Sequence, residues 1–410
     1  MAHQYECILL GATGYTGQWT AEYITTHLPT DFKWAIAGRS EAKLKNLVDE
    51  LRSLNQDRQA PGIEVVQLQH NELLQLVKKT KVLITTVGPY HKYGEVALQA
   101  CAETGTHYLD VTGEVPWVLE MTQKYHETAK RTGAIIIPQN GVESAPADLM
   151  CWKLASLIRE RFRQGTGELV FTIHDMSVAA SGGTLATALG LFDTYSFQQL
   201  AKSQDPYCLS LDASSQKGKK RPIMETLAGV RTVSGLGTLT DSIQGPADIP
   251  IIHRSRSLYG DKLYGENFYV TAYMRARNAV TAFGFHILFM AAMLAITLSP
   301  VRWLMKQFVY APGDGPSKEA ASREYVEWRA IANADTGSTG DVKQAYGKFR
   351  WQGSMYHLTG VTSAEAALIL AREKTFANEL GGGILTPSTL GQTYLDRLQK
   401  AGLNADFKVL

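Results

Sequence analysis

Cysteine is scarce in this 410-residue chain: Cys7, Cys101, Cys151 and Cys208 lie far apart, and no two form a Cys-x-x-Cys pair. That spacing excludes a disulfide framework and a zinc site, and leaves reduced, mostly buried thiols of an intracellular protein. Net charge is equally thin. Forty-one Lys and Arg against 39 Asp and Glu leave +2, so no electrostatic footprint for nucleic acid exists. The one basic run, Lys217 to Arg221, is short, contains Gly218 and reads as an exposed loop. Internal repeats and low-complexity tracts are missing, and no metal-ligand spacing is found. No basic segment followed by an apolar one opens the chain, so it is expected to start in the cytosol.

Long apolar runs are limited to one, residues 279–298, broken chiefly by Thr281, Gly284 and His286 and followed by Arg302, Trp303 and Lys306. Its length is that of a membrane span. A buried helix, an oligomer contact and a membrane-surface element suit it too; burial or surface association is expected, because this is a single segment flanked by soluble-looking sequence.

What is present is 45% hydrophobic and long enough for two domains. The chain is organised around Ile8-Leu9-Leu10-Gly11-Ala12-Thr13-Gly14-Tyr15-Thr16-Gly17. An apolar strand enters three glycines spaced three apart, and a helical pattern follows through Trp19, Tyr23 and Ile24. In a dinucleotide site Gly11 makes the tight turn, Gly14 admits a pyrophosphate to the backbone, and Gly17 packs the helix on the strand. Thr13, Tyr15 and Thr16 fill the same turn.

Residues 33–37 then read as a second strand, ending in Gly38-Arg39-Ser40 where a ribose-reading residue is expected. A carboxylate there selects NAD; Arg39, with Ser40 and Lys43, offers a cation for a 2′-phosphate instead. Ser40 also suits the N-cap of a helix over 41–54, whose Leu44, Leu47, Val48 and Leu51 form one face. NADPH is the expected cofactor. Further strands are expected over 63–66, 82–86, 107–109 and 134–138, with helices over 72–79, 93–104 and 116–132 between them. This alternation builds a doubly wound parallel sheet. Its strand-end loops carry Val87, Gly88 and Pro89 along the cofactor, then Tyr90, His91 and Tyr93 as candidate proton donors, with Asp110, Glu114 and Glu143 on adjacent strand ends. A structural reading stands beside each: Tyr90 as a packed aromatic satisfied by backbone, Glu114 and Asp148 as helix caps.

The dinucleotide domain is expected over 1–150. A second, α+β substrate domain follows over 151–350, with a helix over 149–162, a strand over 168–178, short strand-like runs over 205–275 and a linker over 311–317. In the C-terminal segment, 351–410, a strand over 349–358 precedes helices over 363–380 and 390–401, with Gly381-Gly382-Gly383 as a helix stop between them.

Together these loops resemble the saccharopine dehydrogenase-like oxidoreductase family, including its branch of mycobacterial trans-acting enoyl reductases. The matching pieces are the 11–17 turn, Ala37-Gly38-Arg39, the 85–90 loop with Tyr93-Gly94, Ala100-Cys101-Ala102, Gly105-Thr106-His107-Tyr108, Asp110-Val111-Thr112-Gly113-Glu114, Ser181-Gly182-Gly183-Thr184 and Gly383-Ile384-Leu385-Thr386-Pro387. The resemblance implies a Rossmann domain, a second domain inserted before a C-terminal segment that returns to the first, and NADPH-dependent reduction. One loop departs. Relatives commonly carry Gly-Phe-Asp-Ser-x-Pro-x-Asp, whereas residues 141–148 read Gly-Val-Glu-Ser-Ala-Pro-Ala-Asp.

Short-chain dehydrogenases share a similar glycine turn but rely on Tyr-x-x-x-Lys, and here no tyrosine has a lysine four residues on. Reduction of a C=C or C=N bond is therefore expected over carbonyl chemistry. The apolar segment favours an enoyl, polyketide- or lipid-like substrate, delivered by a carrier protein or synthase. Imine or saccharopine-type reduction is the alternative, and a non-catalytic NADPH-binding or lipid-surface scaffold the rival of another class. A homodimer and a membrane or lipid surface remain open as partners.

Overall fold

The computed structural model describes residues 3–178, 189–211, 223–307, 317–336 and 343–410. In the first strand, β1 (Tyr5–Leu10), residues Cys7 to Leu10 are at most 2% exposed. A strand apolar on both faces belongs at the centre of a sheet covered by helices on both sides. β1 takes that place. It pairs with β2 (Trp34–Gly38) and β4 (Thr80–Thr85), and the sheet extends through β3 (Gly62–Val65), β5 (His107–Asp110), β6 (Ile135–Ile137) and β13 (Gly383–Ile384). The order is β13-β6-β5-β4-β1-β2-β3, and every pair is parallel.

Helices α1 (Tyr15–His27), α2 (Glu41–Leu54), α3 (His70–Val77), α4 (Glu95–Thr104) and α5 (Val115–Thr132) connect these strands. α2 shows how local chemistry sets the bounds. Ser40 Oγ caps it by accepting from the Lys43 amide at 3.4 Å, and its buried residues are Leu44, Leu47, Val48 and Leu51. The strand order reverses between β1 and β4, and ligands of open parallel sheets bind there, beyond the carboxyl ends. The doubly wound Rossmann architecture is thus in place.

α6 (Ala145–Phe162) leads into a second sheet of β7 (Thr166–Ser177), β8 (Arg231–Val233), β9 (Gly237–Asp241), β10 (Tyr269–Arg275), β11 (Tyr325–Ala334), β12 (Gln344–Gln352) and β14 (Asn404–Val409). Its order is β14-β12-β11-β7-β10-β9-β8, with β7 and β10 parallel and the other pairs antiparallel. Phe171, Trp328, Phe349 and Trp351 share one apolar core with α6 and with Leu9 and Ile36 of the first sheet. α10 (Met355–Arg372) packs on α1, and α11 (Gly391–Lys400) on α10. Between α6 and α10 stand α7 (Gly245–Tyr259), α8 (Ala279–Ile296) and α9 (Ser299–Lys306).

Several sequence expectations need correction. The 139–148 stretch is not all loop, because Pro146 starts α6 at Ala145. The run at 245–250 is the start of α7, not strand-like: Ser242 Oγ accepts from the Gly245 amide at 2.9 Å, and Pro246 opens the helix. The strand placed at 349–358 ends at Gln352. Residues 363–380 form two helices, α10 and a short Phe376–Glu379 turn. β13 and β14 escaped notice; they tie the C-terminal segment to both sheets rather than to the first alone. Of the two arrangements expected for the 279–298 run, burial or surface association, burial does not apply, since only Ala282 and His286 of α8 are buried. The 217–221 run, the 181–184 motif and all but Ser317 of the 311–317 linker lie outside the described residues.

Candidate active site at the strand-order reversal

The crevice between β1 and β4 is lined by two stitched loops. The Thr86 amide donates to Leu10 O at 3.0 Å, and Thr86 Oγ1 to Gly11 O at 3.1 Å. Gly11 has φ +87°, and a Cβ there would stand 2.7 Å from Val87 Cγ2. Gly17 is equally constrained, since its Cβ would meet Gly11 O at 2.2 Å and Ala12 Cα at 2.8 Å. Gly14 differs: a Cβ would meet only Gly11 O, at 3.4 Å. Its surroundings are open.

Gly14 also caps α1 without a side chain to accept from its amides. A helix N-terminus left uncapped behind an open glycine is the cradle that a pyrophosphate requires. Thr13 and Thr16 flank it half-buried, and the Tyr15 ring leans edge-on against Tyr356 of α10 at 5.0 Å. At the end of β2, Arg39, Ser40 and Lys43 are exposed, and Arg39 has no ion pair among the described residues. These residues fit NADPH: α1 would hold the pyrophosphate, and Arg39 and Lys43 the 2′-phosphate. The bound cofactor supplies a hydride at its nicotinamide C4.

Beyond β4, Val87, Gly88 and Pro89 lead into a helical turn, Tyr90–Tyr93. Here the three expected donors part company. Tyr90 is buried, with its hydroxyl donating to Thr85 O at 2.9 Å and accepting from the Val111 amide at 3.3 Å. Burial drives its pKa well above the usual value, with Asp110 adding to the effect. Of its two sequence readings, proton donor and packed aromatic satisfied by backbone, Tyr90 matches the second. Tyr93 is 47% exposed and stands apart from the buried pair below.

His91 and Glu114 are brought together. Both side chains are at most 1% exposed, and His91 Nδ1 lies 2.7 Å from Glu114 Oε2. The same carboxylate accepts from the Tyr90 and His91 amides, each at 2.8 Å. Glu114 therefore does not cap α5 with its side chain. With Nδ1–H directed to the carboxylate, the other nitrogen is the one left to exchange a proton. His91 Nε2 is buried without a hydrogen-bond partner among the described residues, and a Cβ on Gly190 would stand 3.1 Å from it.

Other carboxyls crowd this rim. Asp110 Oδ1 accepts from the Thr112 amide at 3.0 Å and the Gln139 amide at 2.9 Å, holding Gln139 at φ +56°. Burial nevertheless raises Asp110 to about 7. Burial also raises Glu143, helped by the charge of Glu114. Asp248, on α7, is pushed well above 3.8 by burial and by Glu143, and its Oδ1 has no partner. Sequence reasoning missed Asp248; Pro246 at the helix start with an acid in the first turn was the available signal. Asp148 is not a cap either. It accepts from Ser255 Oγ at 2.5 Å and the Ser388 amide at 2.7 Å, binding α6 to α7 and the 387–390 turn. No group of three potential metal ligands occurs among the described residues.

Comparison with known proteins agrees with this geometry. Residues 7–137 match the family model of the saccharopine dehydrogenase NADP binding domain. Over 98% of this chain and 97% of its own length, the trans-acting enoyl reductase of Mycobacterium ulcerans is 30% identical, and that of Mycobacterium tuberculosis strain H37Rv is 29% identical. Apo saccharopine dehydrogenase (L-Glu forming) from Saccharomyces cerevisiae superposes with a TM-score of 0.57 at 12% identity, covering 99% of this chain and all of that one. That likeness concerns the fold. The cradle, the free cation beyond β2 and the end-to-end kinship together make this chain an NADP-dependent oxidoreductase, and it belongs to the saccharopine dehydrogenase-like family, with the trans-acting enoyl reductases.

Proposed function

We propose that the protein reduces an activated C=C bond of a hydrophobic, carrier-bound acyl chain of polyketide or lipid type, with His91 as the proton donor. The observation that carries this reading is the buried His91–Glu114 pair with Nε2 unpartnered among the described residues. Reduction of an enoyl group needs a proton for the α-carbon as hydride reaches the β-carbon, and an imidazole oriented by a carboxylate can deliver it. Glu114 holds the ring in place through Nδ1 at 2.7 Å. Burial biases Glu143 and Asp248, on the same rim, toward protonation.

Saccharopine-type imine reduction has less support. An amino-dicarboxylate needs free cations, but buried Arg254 is spent on the carbonyls of Leu209 and Ile384 and Arg256 on Asp261. A carrier protein or partner synthase would present the acyl chain, in keeping with the trans-acting enoyl reductases among the mycobacterial relatives.

The test is NADPH oxidation with enoyl thioesters and with cyclic imines. Turnover of enoyl thioesters is expected, with His91→Gln lowering kcat at least about 100-fold while NADPH affinity holds. Turnover of imines alone would remove the reading.

A further inference from the structure

The Ala279–Ile296 helix, α8, is apolar on all sides, and such a helix needs apolar surroundings on all sides. Only Ala282 and His286 of it are buried, with Phe285, Phe289, Ala295 and Ile296 half-buried. Val280, Ile287, Leu288, Met290 and Leu294 are 52–81% exposed, and Trp303 and Leu304 of α9 continue the surface at 67% and 52%. An exposed apolar patch of this extent marks an interaction site.

Both ends of α8 are fastened to the same body. Near its start, Thr240 Oγ1 donates to Ala282 O at 3.0 Å, and His286 Nδ1 lies 2.5 Å from Asp241. Beyond its end, Arg302 donates to the carbonyls of Ile296 and Thr297 at 2.9 and 2.8 Å, pairs with Asp193 at 3.3 Å and lies over the Phe192 ring. A spanning helix would place its two ends on opposite sides of a hydrocarbon core about 30 Å thick. Two tethers to one soluble body prohibit that.

Charge identifies what covers the surface. No Asp or Glu occurs from Asn267 to Gly313, while Arg275 and Arg277 are exposed at the start of α8 and Trp303 beyond its end. A second copy docking by this same face would offer these arginines no carboxylate from the stretch. An anionic headgroup layer offers anions at both ends and hydrocarbon between them, and a tryptophan at the margin suits that boundary. We propose that α8 and α9 form a monotopic anchor, lying in the plane of an anionic phospholipid surface with Leu288 and Leu294 in the acyl region. This anchoring is independent of the reaction assigned to the crevice.

The experiment is flotation of the full-length protein with phosphatidylcholine vesicles, with and without phosphatidylglycerol. Co-flotation is expected with the anionic vesicles, reduced about fivefold in Arg277→Ala. The double variant Leu288→Glu/Leu294→Glu should stay unbound. Both residues are exposed, so its folding should persist, as an unchanged melting temperature and NADPH affinity would show. Wild-type protein left at the bottom of the gradient would overturn the proposal. So would a double variant that still floats, or one whose only change is from dimer to monomer. Protease cleavage within the vesicle lumen would overturn it in favour of a span.

Discussion

Glu143 occupies the space that a side chain at Gly113 would need: a Cβ on Gly113 would stand 1.9 Å from Glu143 Oε2. The glycine of the 110–114 loop thus makes room for a carboxylate from the loop after β6. Because the obstructing atom is the tip of a flexible side chain, Gly113→Ala displaces Glu143 instead of unfolding the protein. Its melting temperature should move by no more than about 3 °C. If Glu143 serves the reaction, activity should fall to the level of Glu143→Ala, and the double variant should be no worse than either single one.

Gly14 and Gly17 separate binding from folding. In Gly17→Ala the new methyl meets backbone atoms at 2.2 and 2.8 Å, which cannot retreat, so stability should fall by about 1–3 kcal/mol in urea denaturation. Gly14→Ala meets one atom at 3.4 Å and should fold normally. Its NADPH affinity, by fluorescence titration, should nevertheless drop, because the methyl intrudes where the phosphates approach.

Arg39, exposed at the end of β2 and without an ion pair among the described residues, would read the 2′-phosphate through a charge-assisted contact. Arg39→Ala should weaken NADPH binding about 10- to 100-fold and leave NADH binding unchanged. Equal losses for both nucleotides would place the 2′-phosphate elsewhere.

Asp148 makes stability depend on pH. Burial raises it from 3.8 to about 6 in the folded protein, against the pull of Ser255 and Ser388. The folded state therefore holds a proton that the unfolded state has released. Stability from this group is fully present below pH 4 and is lost as pH rises to 6, by roughly 3 kcal/mol. Asp148→Asn keeps both contacts, with Oδ1 accepting from the Ser388 amide and Nδ2 donating to Ser255 Oγ. Its denaturation curves at pH 4 and pH 7 should differ less than those of the wild type.

The sequence made much of this fold legible, and the exceptions have physical reasons. α2 was readable to the residue, because Ser40 and a four-leucine-type apolar stripe are local signals. The glycine turn was readable because its spacing is set by backbone geometry common to dinucleotide folds, and the place of Arg39 just past β2 follows from the same geometry. Tyr90 was left between donor and packed aromatic, since its partners, Thr85 O and Val111 N, are backbone atoms without a sequence signature. His91 and Glu114, separated by a helix and a strand, were candidates whose pairing only the parallel register of β4 and β5 could reveal. β13, two residues long, has no periodicity to detect. The exposure of α8 was not legible, because apolar composition alone does not distinguish a core helix from one facing lipid.

The most direct measurement is mass and NMR analysis of the product formed from an enoyl thioester and NADPH deuterated at the transferable position. One deuterium at the β-carbon and a solvent proton at the α-carbon are expected in the wild type, with the saturated product nearly absent in His91→Gln. Deuterium on a carbonyl or imine carbon, or full activity in His91→Gln, would contradict reduction of a C=C bond by this site.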